Sequence, residues 1–362
     1  MAQVTSNFGS DIPAPINNVY MRGLLSSARK TLPFFNGTMP GVLEKAGGSA
    51  TVKWRRIENL AVATTALSEL SPGATATFGL GRTSVRPTIF NVTKAVAKYG
   101  NAIITTEEVD LFNINSGTMD LMETLGANAG ESLNSVARLE FDNASQIRYA
   151  SGAANKSATV AEMKYIDIEW SVNKLQRNSA MKMFSMATGS ANVTTSTVRS
   201  SFFGICHPDV ERDIRLLTGF LGVEQYGGYT ETITGEFGAL GGVRWCMSEI
   251  APIETGAGTT STSASNTFRG TSADLNDVYT SYIYGKEAVG TVGLGVGYST
   301  GVKKMYEGKE QAIMLIQKKP GSSGIGDMFD EIGSIAWKAW HATKILNGNW
   351  LVIVKTLAKE IQ

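Results

Sequence analysis

The residues able to do chemistry are few and far apart. The chain of 362 residues holds two cysteines, Cys206 and Cys246, and two histidines, His207 and His341. Two thiols make no disulfide framework, and neither histidine has a second one at a metal-ligand spacing such as HExxH. The expected state is two buried free thiols. His207 precedes Pro208-Asp209 at a strand-to-helix junction, where a local hydrogen bond is its expected role. His341 shares a strand face with Trp337, where a core or interface imidazole is expected. Gly293, Gly295 and Gly297 lack the further spaced glycine, following helix and acidic residue of a dinucleotide fingerprint. Gly285-Lys286 lacks the preceding spacing of a phosphate loop. Glu107, Glu108 and Asp110 stand just before a long helix and suit its positive end rather than an acid/base pair. Arg55-Arg56 on a strand reads as salt-bridging residues at an interface, and Trp337, Trp340 and Trp350 as core or contact residues. No catalytic, cofactor-binding or metal site is expected.

The element that must organise such a chain is the stretch Thr118 to Ala150. Leu121, Met122, Leu125, Ala129, Leu133, Val136, Ala137, Ala144 and Ile147 recur at helical spacing. This predicts one helix of roughly 33 residues, about 50 Å long, a rod against which sheets are laid. Thr118 can cap it, and Asp120 and Glu123 suit its first turns. Gly126 and Gly130 lie one turn apart and predict close approach by another backbone.

Composition bounds the rest. The length calls for two or more packed units. Charged residues are 18%, glycines number 39 and the net charge is +1. Low charge with abundant glycine suits a surface largely covered by neighbours, and near-neutrality gives no basic field to grip a duplex. The N-terminus lacks the cationic and apolar regions of a signal peptide. No apolar run is long enough to span a membrane, so synthesis in a cytoplasm is expected.

In chain order, residues 1–18 predict an extended polar arm, and Asn18 starts a short amphipathic helix stopped by Pro33. Thr51 to Ile57 alternates as a half-buried strand, with Val52 and Trp54 on one face and Lys53 and Arg55 on the other. A second β-rich run covers 85–105. The tract between, 61–83, is rich in Ala, Thr, Ser and Gly. Strands flanking so long a tract predict a hairpin arm reaching away from the body, to be received by another subunit. Thr159 with Glu162 reads as a capping box for a helix through Leu175. Phe202 to Cys206 is a short apolar strand, and Pro208 opens a helix through Arg215. Val243 to Met247, Val278 to Tyr284 and Gln311 to Gln317 are further strands, with a Ser/Thr/Gly-rich loop at 257–271. In the tail, Ile335, Trp337, Ala339 and His341 share a face. Asn347-Gly348 signals a tight hairpin, so 333–354 is expected to close as an antiparallel pair.

Six segments, TVKWRRIENLAVATTALSE (51–69), VAKYGNAIITTEEVDL (96–111), CHPDVERDIR (206–215), GEFGALGGVRWCMSE (235–249), YGKEAVG (284–290) and GSIAWKAWHATKILNGNW (333–350), occur in this order. Together they resemble the major capsid proteins of tailed bacteriophages, in the branch named for phage N-four, over about residues 18–354. The resemblance implies an α+β chain with the Hong Kong 97-type capsid fold. It implies an N-terminal arm and short helix at 1–49 and an extended β-hairpin loop at 50–100, with its tip near 71–81. A peripheral domain with a long spine helix (118–150) and β-sheet would follow at 101–199, an axial domain at 200–325, and returning peripheral strands at 326–362. Subunit contacts would fall to Trp54, Arg55, Arg56 and Glu69.

The same resemblance implies self-assembly as hexamers and pentamers into an icosahedral shell around double-stranded DNA, located in the virion and made in the host cytoplasm. A separate scaffolding protein is expected, since only about 17 residues precede the first helix; a portal and a possible decoration protein would complete the particle. The tract 61–83 has no lysine, which argues against the Lys–Asn cross-links that weld some shells of this kind. Rival readings are an encapsulin-like nanocompartment shell, an unrecognised hydrolase with carboxylates in a cleft, and a monomeric binding module.

Overall fold

A computed structural model describes residues 33–41, 51–58, 60–64, 86–108, 118–186, 197–226, 232–233, 235–259, 268–270, 275–292, 313–318, 329 and 331–360. A 3-10 turn, Pro33–Phe35, leads to β1 (Met39–Pro40). Then come β2 (Thr51–Ile57), β3 (Ile89–Ala95), β4 (Ala97–Thr106), α1 (Thr118–Phe141), β5 (Gln146–Tyr149) and α2 (Tyr165–Arg177). β6 (Phe202–Cys206), α3 (Pro208–Arg215), β7 (Leu221–Gly222), β8 (Glu236–Leu240), β9 (Val243–Met247) and β10 (Ile253–Glu254) follow. The chain ends with β11 (Val278–Tyr284), β12 (Val289–Val292), β13 (Ile313–Lys318), β14 (Ile332–Ile345) and β15 (Leu351–Thr356).

Two large sheets result. One has five strands in the order β1-β12-β14-β13, with β4 also on β14. The other has eight in the order β5-β15-β11-β6-β9-β8-β7, with β10 on β11. β2 and β3 pair only with each other, among the described residues, as a two-stranded antiparallel arm.

The rod is present and does what its stripe predicts. Met122, Leu125, Ala129 and Leu133 of α1 pack against Ile313, Ile335, Trp337 and Ala339 of the five-stranded sheet. Its last turn, Ala137 and Phe141, packs with Phe203, Tyr282 and Tyr284 of the eight-stranded sheet. Each such large side chain contributes about 1.5–3 kcal/mol relative to leaving it in water. Gly126 and Gly130 are both buried.

The helix is shorter than its periodicity predicts. It ends at Phe141, so its 24 residues span about 36 Å. Asp142-Asn143 form a turn, with the Asn143 amide donating to Leu139 O at 3.1 Å. Gln146–Tyr149 then pair in parallel with β15. β15 is buried along nearly its whole length and needs a neighbour on each side. Ile147, which continues the helical stripe in sequence, serves that strand instead.

Three further corrections follow from tertiary pairing. The capping box does not form: α2 starts at Tyr165, and residues near Thr159 and Glu162 run extended beside the C-terminal segment. There Leu357 N donates to Ala161 O, and Lys359 pairs with Glu162 at 3.0 Å. Val160 and Ile166 are exposed. The closing hairpin is absent as well. Asn347 sits at φ −139°, not in the left-handed region that a tight hairpin needs, and its side chain accepts from Asn349 N. One 3-10 turn, Gly348–Trp350, carries the chain from β14 into the centre of the other sheet, where β15 joins β11 and β5. Sheet membership therefore does not follow the expected boundaries: β12 and β13 (within 200–325) join β14, and β15 leaves it.

The second passage between the sheets, the turn 285–288 from β11 to β12, lies beside the first. Leu346 N and Asn347 N both donate to Ala288 O, and Gly285 N donates to Trp350 O. The indole of Trp350 donates to Asn178 O at the end of α2. Both crossings are thus tied to each other and to a helix end.

Candidate subunit-contact surface

The arm is built by alternation. In the β2–β3 register Val52 faces Lys94, Trp54 faces Val92 and Arg56 faces Phe90 on one side. Lys53, Arg55 and Ile57 lie on the other. Val52 and Trp54 are buried with Val96, Val292 and Ala342. Trp54 is 4% exposed. Its indole lies against two glycines: a Cβ at Gly41 or Gly290 would stand 2.6 or 2.7 Å from the ring, so neither position has room for a side chain. At Val96 the alternation slips by one, and from β4 onward it is Tyr99 and Ile103 that turn toward α1.

The four residues expected at subunit contacts are therefore placed differently from one another. Trp54 is spent inside its own subunit, holding the arm's root. Arg56 is half-buried, pairs with Glu58 at 3.2 Å and lies over the Phe90 ring at 5.3 Å. Arg55 is exposed. Glu69 lies outside the described residues, as do the loop tip near 71–81, residues 18–32 of the short amphipathic helix and Gly293 to Gly297.

Beyond the root the arm exposes apolar side chains. Ile57, Leu60, Ile89 and Phe90 are all exposed, and Val62 is 85% exposed. Scattered single apolar residues are ordinary on a surface; five gathered at the far end of β2–β3 and the residues after it make this the candidate contact surface.

An ionic junction fixes the arm to the body. Glu140, near the end of α1, takes Lys94 of β3 at 3.3 Å on one carboxylate oxygen and Lys344 of β14 at 2.9 Å on the other. Burial pushes this carboxyl's pKa up, but the Lys344 hydrogen bond and both ammonium charges outweigh burial and hold it below the usual glutamate value. No local motif announces this group, because its members are distant in sequence; the signal available was a charged residue between Ala137 and Phe141 on the apolar stripe.

His341 lies under the same root. Its Nδ1 is 3.0 Å from Val292 O, which can only accept, so Nδ1 carries the proton and Nε2 accepts from the Thr343 hydroxyl at 2.7 Å. Burial pushes its pKa down from 6.5 to about 4, against the smaller opposing effect of the Val292 bond. A depressed histidine contributes stability that is complete above the unfolded value and lost as pH falls through the folded one. Between pH 6.5 and 4 the loss is about 3 kcal/mol. Urea midpoints across that range are expected to fall more steeply for the native chain than for His341→Gln; parallel curves would contradict this.

The remaining chemical candidates are structural. His207 Nδ1 accepts from Asp209 N at 3.2 Å at the start of α3, the local role expected of it. Cys206 and Cys246 are buried free thiols on opposite faces of their sheet, one in each apolar cluster. Burial pushes the Cys246 pKa up to about 12. Trp337 is buried and donates to Asn128 Oδ1 at 3.1 Å, whereas Trp340 is largely exposed. Glu107 and Glu108 are exposed. Among the described residues no cluster of His, Cys, Asp and Glu could hold a metal, and no helix is long and apolar enough to cross a membrane. A buried group that sequence reasoning missed joins Glu236 and Arg244 of adjacent strands: two hydrogen bonds of 2.6 Å link them, and Tyr226 donates to the same carboxylate at 2.9 Å.

No protein-family model matches the chain, and no curated protein matches it by sequence. Solved structures do match. The capsid of Ralstonia phage GP4 superposes with a TM-score of 0.60 at 9% identity, over 90% of this chain and 88% of that one. The head structure of Helicobacter pylori bacteriophage KHP40 gives 0.56 at 10%, over 91% of each chain. The capsid of cyanophage Pam1 gives 0.53 at 13%, over 99% of this chain and all of that one (100%). At such identities the likeness is one of fold: the chain has the Hong Kong 97-type fold of tailed-phage capsid subunits.

Proposed function

We propose that this chain is the main shell subunit of a tailed phage, and that its work is assembly rather than catalysis. The observation that carries this is the projecting β2–β3 hairpin, which exposes Ile57, Leu60, Val62, Ile89 and Phe90 instead of folding them onto its own body. A two-stranded ribbon is marginal by itself in water. Its apolar surface gains a partner when identical copies surround it, and closed symmetry then sets the number of contacts. The fold likeness to phage capsids supports the same reading.

On this reading the subunits associate as hexamers and pentamers around double-stranded DNA in a virion, after synthesis in the host cytoplasm. A net charge of +1 fits weak, sequence-blind contact with that DNA. A separate scaffolding protein, a portal and a decoration protein are the partners that go with it. Arg55 on the arm's open face is a contact residue, and the tract 61–83 reaches a neighbouring copy.

Electron microscopy of the purified chain tests this. Closed particles of uniform diameter are expected, and deletion of 66–79 is expected to abolish or redirect assembly while the far-UV circular dichroism of the subunit is kept. A native chain that stays monomeric, or normal-sized shells from the deletion, would contradict the proposal.

A further inference from the structure

We infer that Glu140 is a positioning residue for the arm: its two-sided ion pair with Lys94 and Lys344 sets the direction in which β2–β3 leaves the body.

The argument begins with geometry. Three elements meet at this carboxylate, namely the last turn of α1, the arm strand β3 and the long strand β14. The side chain of Glu140 is 9% exposed, so its charge is poorly screened, while the two lysines reach in from partly open positions. With the carboxylate present, both ammonium groups are drawn to one point. Without it, two like charges would face each other across the arm's root and push β3 away from β14.

Trp54 and Glu140 divide the work at the root. The indole, seated on Gly41 and Gly290, fixes where the arm is attached. A small apolar contact resists being pulled away but, being non-directional, resists rocking poorly. The ion pair lies off that seat, on Lys94 at the second β3–β2 pairing from the root, and so opposes rocking. The lever is long: seven residues of β3 at about 3.4 Å each span about 24 Å. A tilt of about 5° at the root displaces the far end by about 2 Å. A gap of only about 0.5–1 Å already forfeits a quarter to a half of a packing contact. Small changes at Glu140 therefore become large errors at Ile57 and Ile89.

The consequence for particle geometry rests on the shell-subunit reading above; the lock itself does not. If arms carry the contacts between copies, their angle sets curvature, and loosening it produces shells of mixed diameter.

The test uses the full chain with nitroxide labels at Asn91→Cys on the arm and Glu131→Cys on α1. Cys206 and Cys246 are buried and remain unlabelled in the folded protein. Pulsed electron paramagnetic resonance reads the distance between the labels in unassembled subunits. Lys94→Met leaves Glu140 paired with Lys344, so the fold is kept; Glu140→Gln removes the charge itself. Both are expected to broaden the distance distribution, with unchanged far-UV circular dichroism, and electron microscopy is expected to find particles of mixed size. An unchanged narrow distribution in both variants overturns the inference. Shells from Lys94→Met with the native diameter distribution would overturn the consequence for particle geometry. If the native chain forms no shells while Lys94→Met broadens the distribution, the positioning role stands and the shell reading fails.

Discussion

Arg244→Ala is expected to cost about 3–5 kcal/mol of stability, a large share of the roughly 5–15 kcal/mol that holds a native protein together. The side chains of Arg244 and Glu236 are 3% and 0% exposed. The guanidinium donates to the carboxylate through both Nε and Nη2 at 2.6 Å, and Tyr226 Oη and Ile233 N donate to the same two oxygens. The guanidinium also lies over the rings of Phe184 at 4.5 Å and Tyr226 at 5.6 Å. Removing Arg244 leaves an ionised carboxylate sealed from water, or forces it to take up a proton. Either route is costly, because the group was desolvated on the assumption of a partner. Lysine is a poor substitute, since a single ammonium can neither match the two-point geometry nor stack on two rings. The double change Glu236→Leu with Arg244→Met is expected to recover most of the loss, because it removes both charges together. Urea unfolding of the native chain, Glu236→Leu, Arg244→Met and the double variant forms a double-mutant cycle; a single Arg244→Ala loss below about 1 kcal/mol would contradict the argument.

The contrast between Arg244 and Glu140 shows what a sequence carries. β2 was legible because alternation needs only neighbouring residues: Val52 and Trp54 in, Lys53 and Arg55 out. The same holds for Phe202 to Cys206, for His207 at the helix start and for the inward face of β14. Element ends were less legible, because partners far along the chain decide them. Residues 142–149 leave the helix since β15 needs a second neighbour, and residues 159–163 give up a capping box for the C-terminal segment. Asn347-Gly348 names a turn but not its destination. Arg244 was detectable in principle, since a cation inside the buried strand VRWCM demands a buried anion, but nothing local says that Glu236 supplies it. Glu140, Lys94 and Lys344 come from a helix and two strands far apart in sequence and had no local signature. The likeness to phage capsids supplied the arrangement of arm, rod and sheets; the residues that hold the arm in place had to be read from coordinates.

Trp54→Ala is expected to remove about 3–5 kcal/mol, the usual range for truncating a buried aromatic residue. Here the loss falls on one small cluster. Among the described residues, the indole is the only aromatic ring in its cluster with Val52, Val96, Val292 and Ala342, with Met39 and Leu346 at the edge. The two glycines under it bring no side chain of their own to fill the space, so collapse of the cavity would have to come from Val52 and Leu346 beside them. The body has other cores, around Trp245 and around Phe141 and Tyr282, which this change does not touch. Among the described residues, the arm has its ribbon pairing, the Glu140 junction and the Arg56 contacts besides. Hydrogen exchange should therefore show amides 51–57 and 89–95 losing protection first, with β6, β9 and β11 protected almost as before. Trp54→Phe, which keeps a ring on the two glycines, is expected to retain more than half of the effect. The experiment also separates two roles for this residue. If Trp54 acted chiefly between subunits, the unassembled variant would keep its arm protected and only assembly would suffer. Because the indole is 4% exposed in the isolated chain, the arm should loosen before any second copy is present, and failed assembly should follow from that loosening.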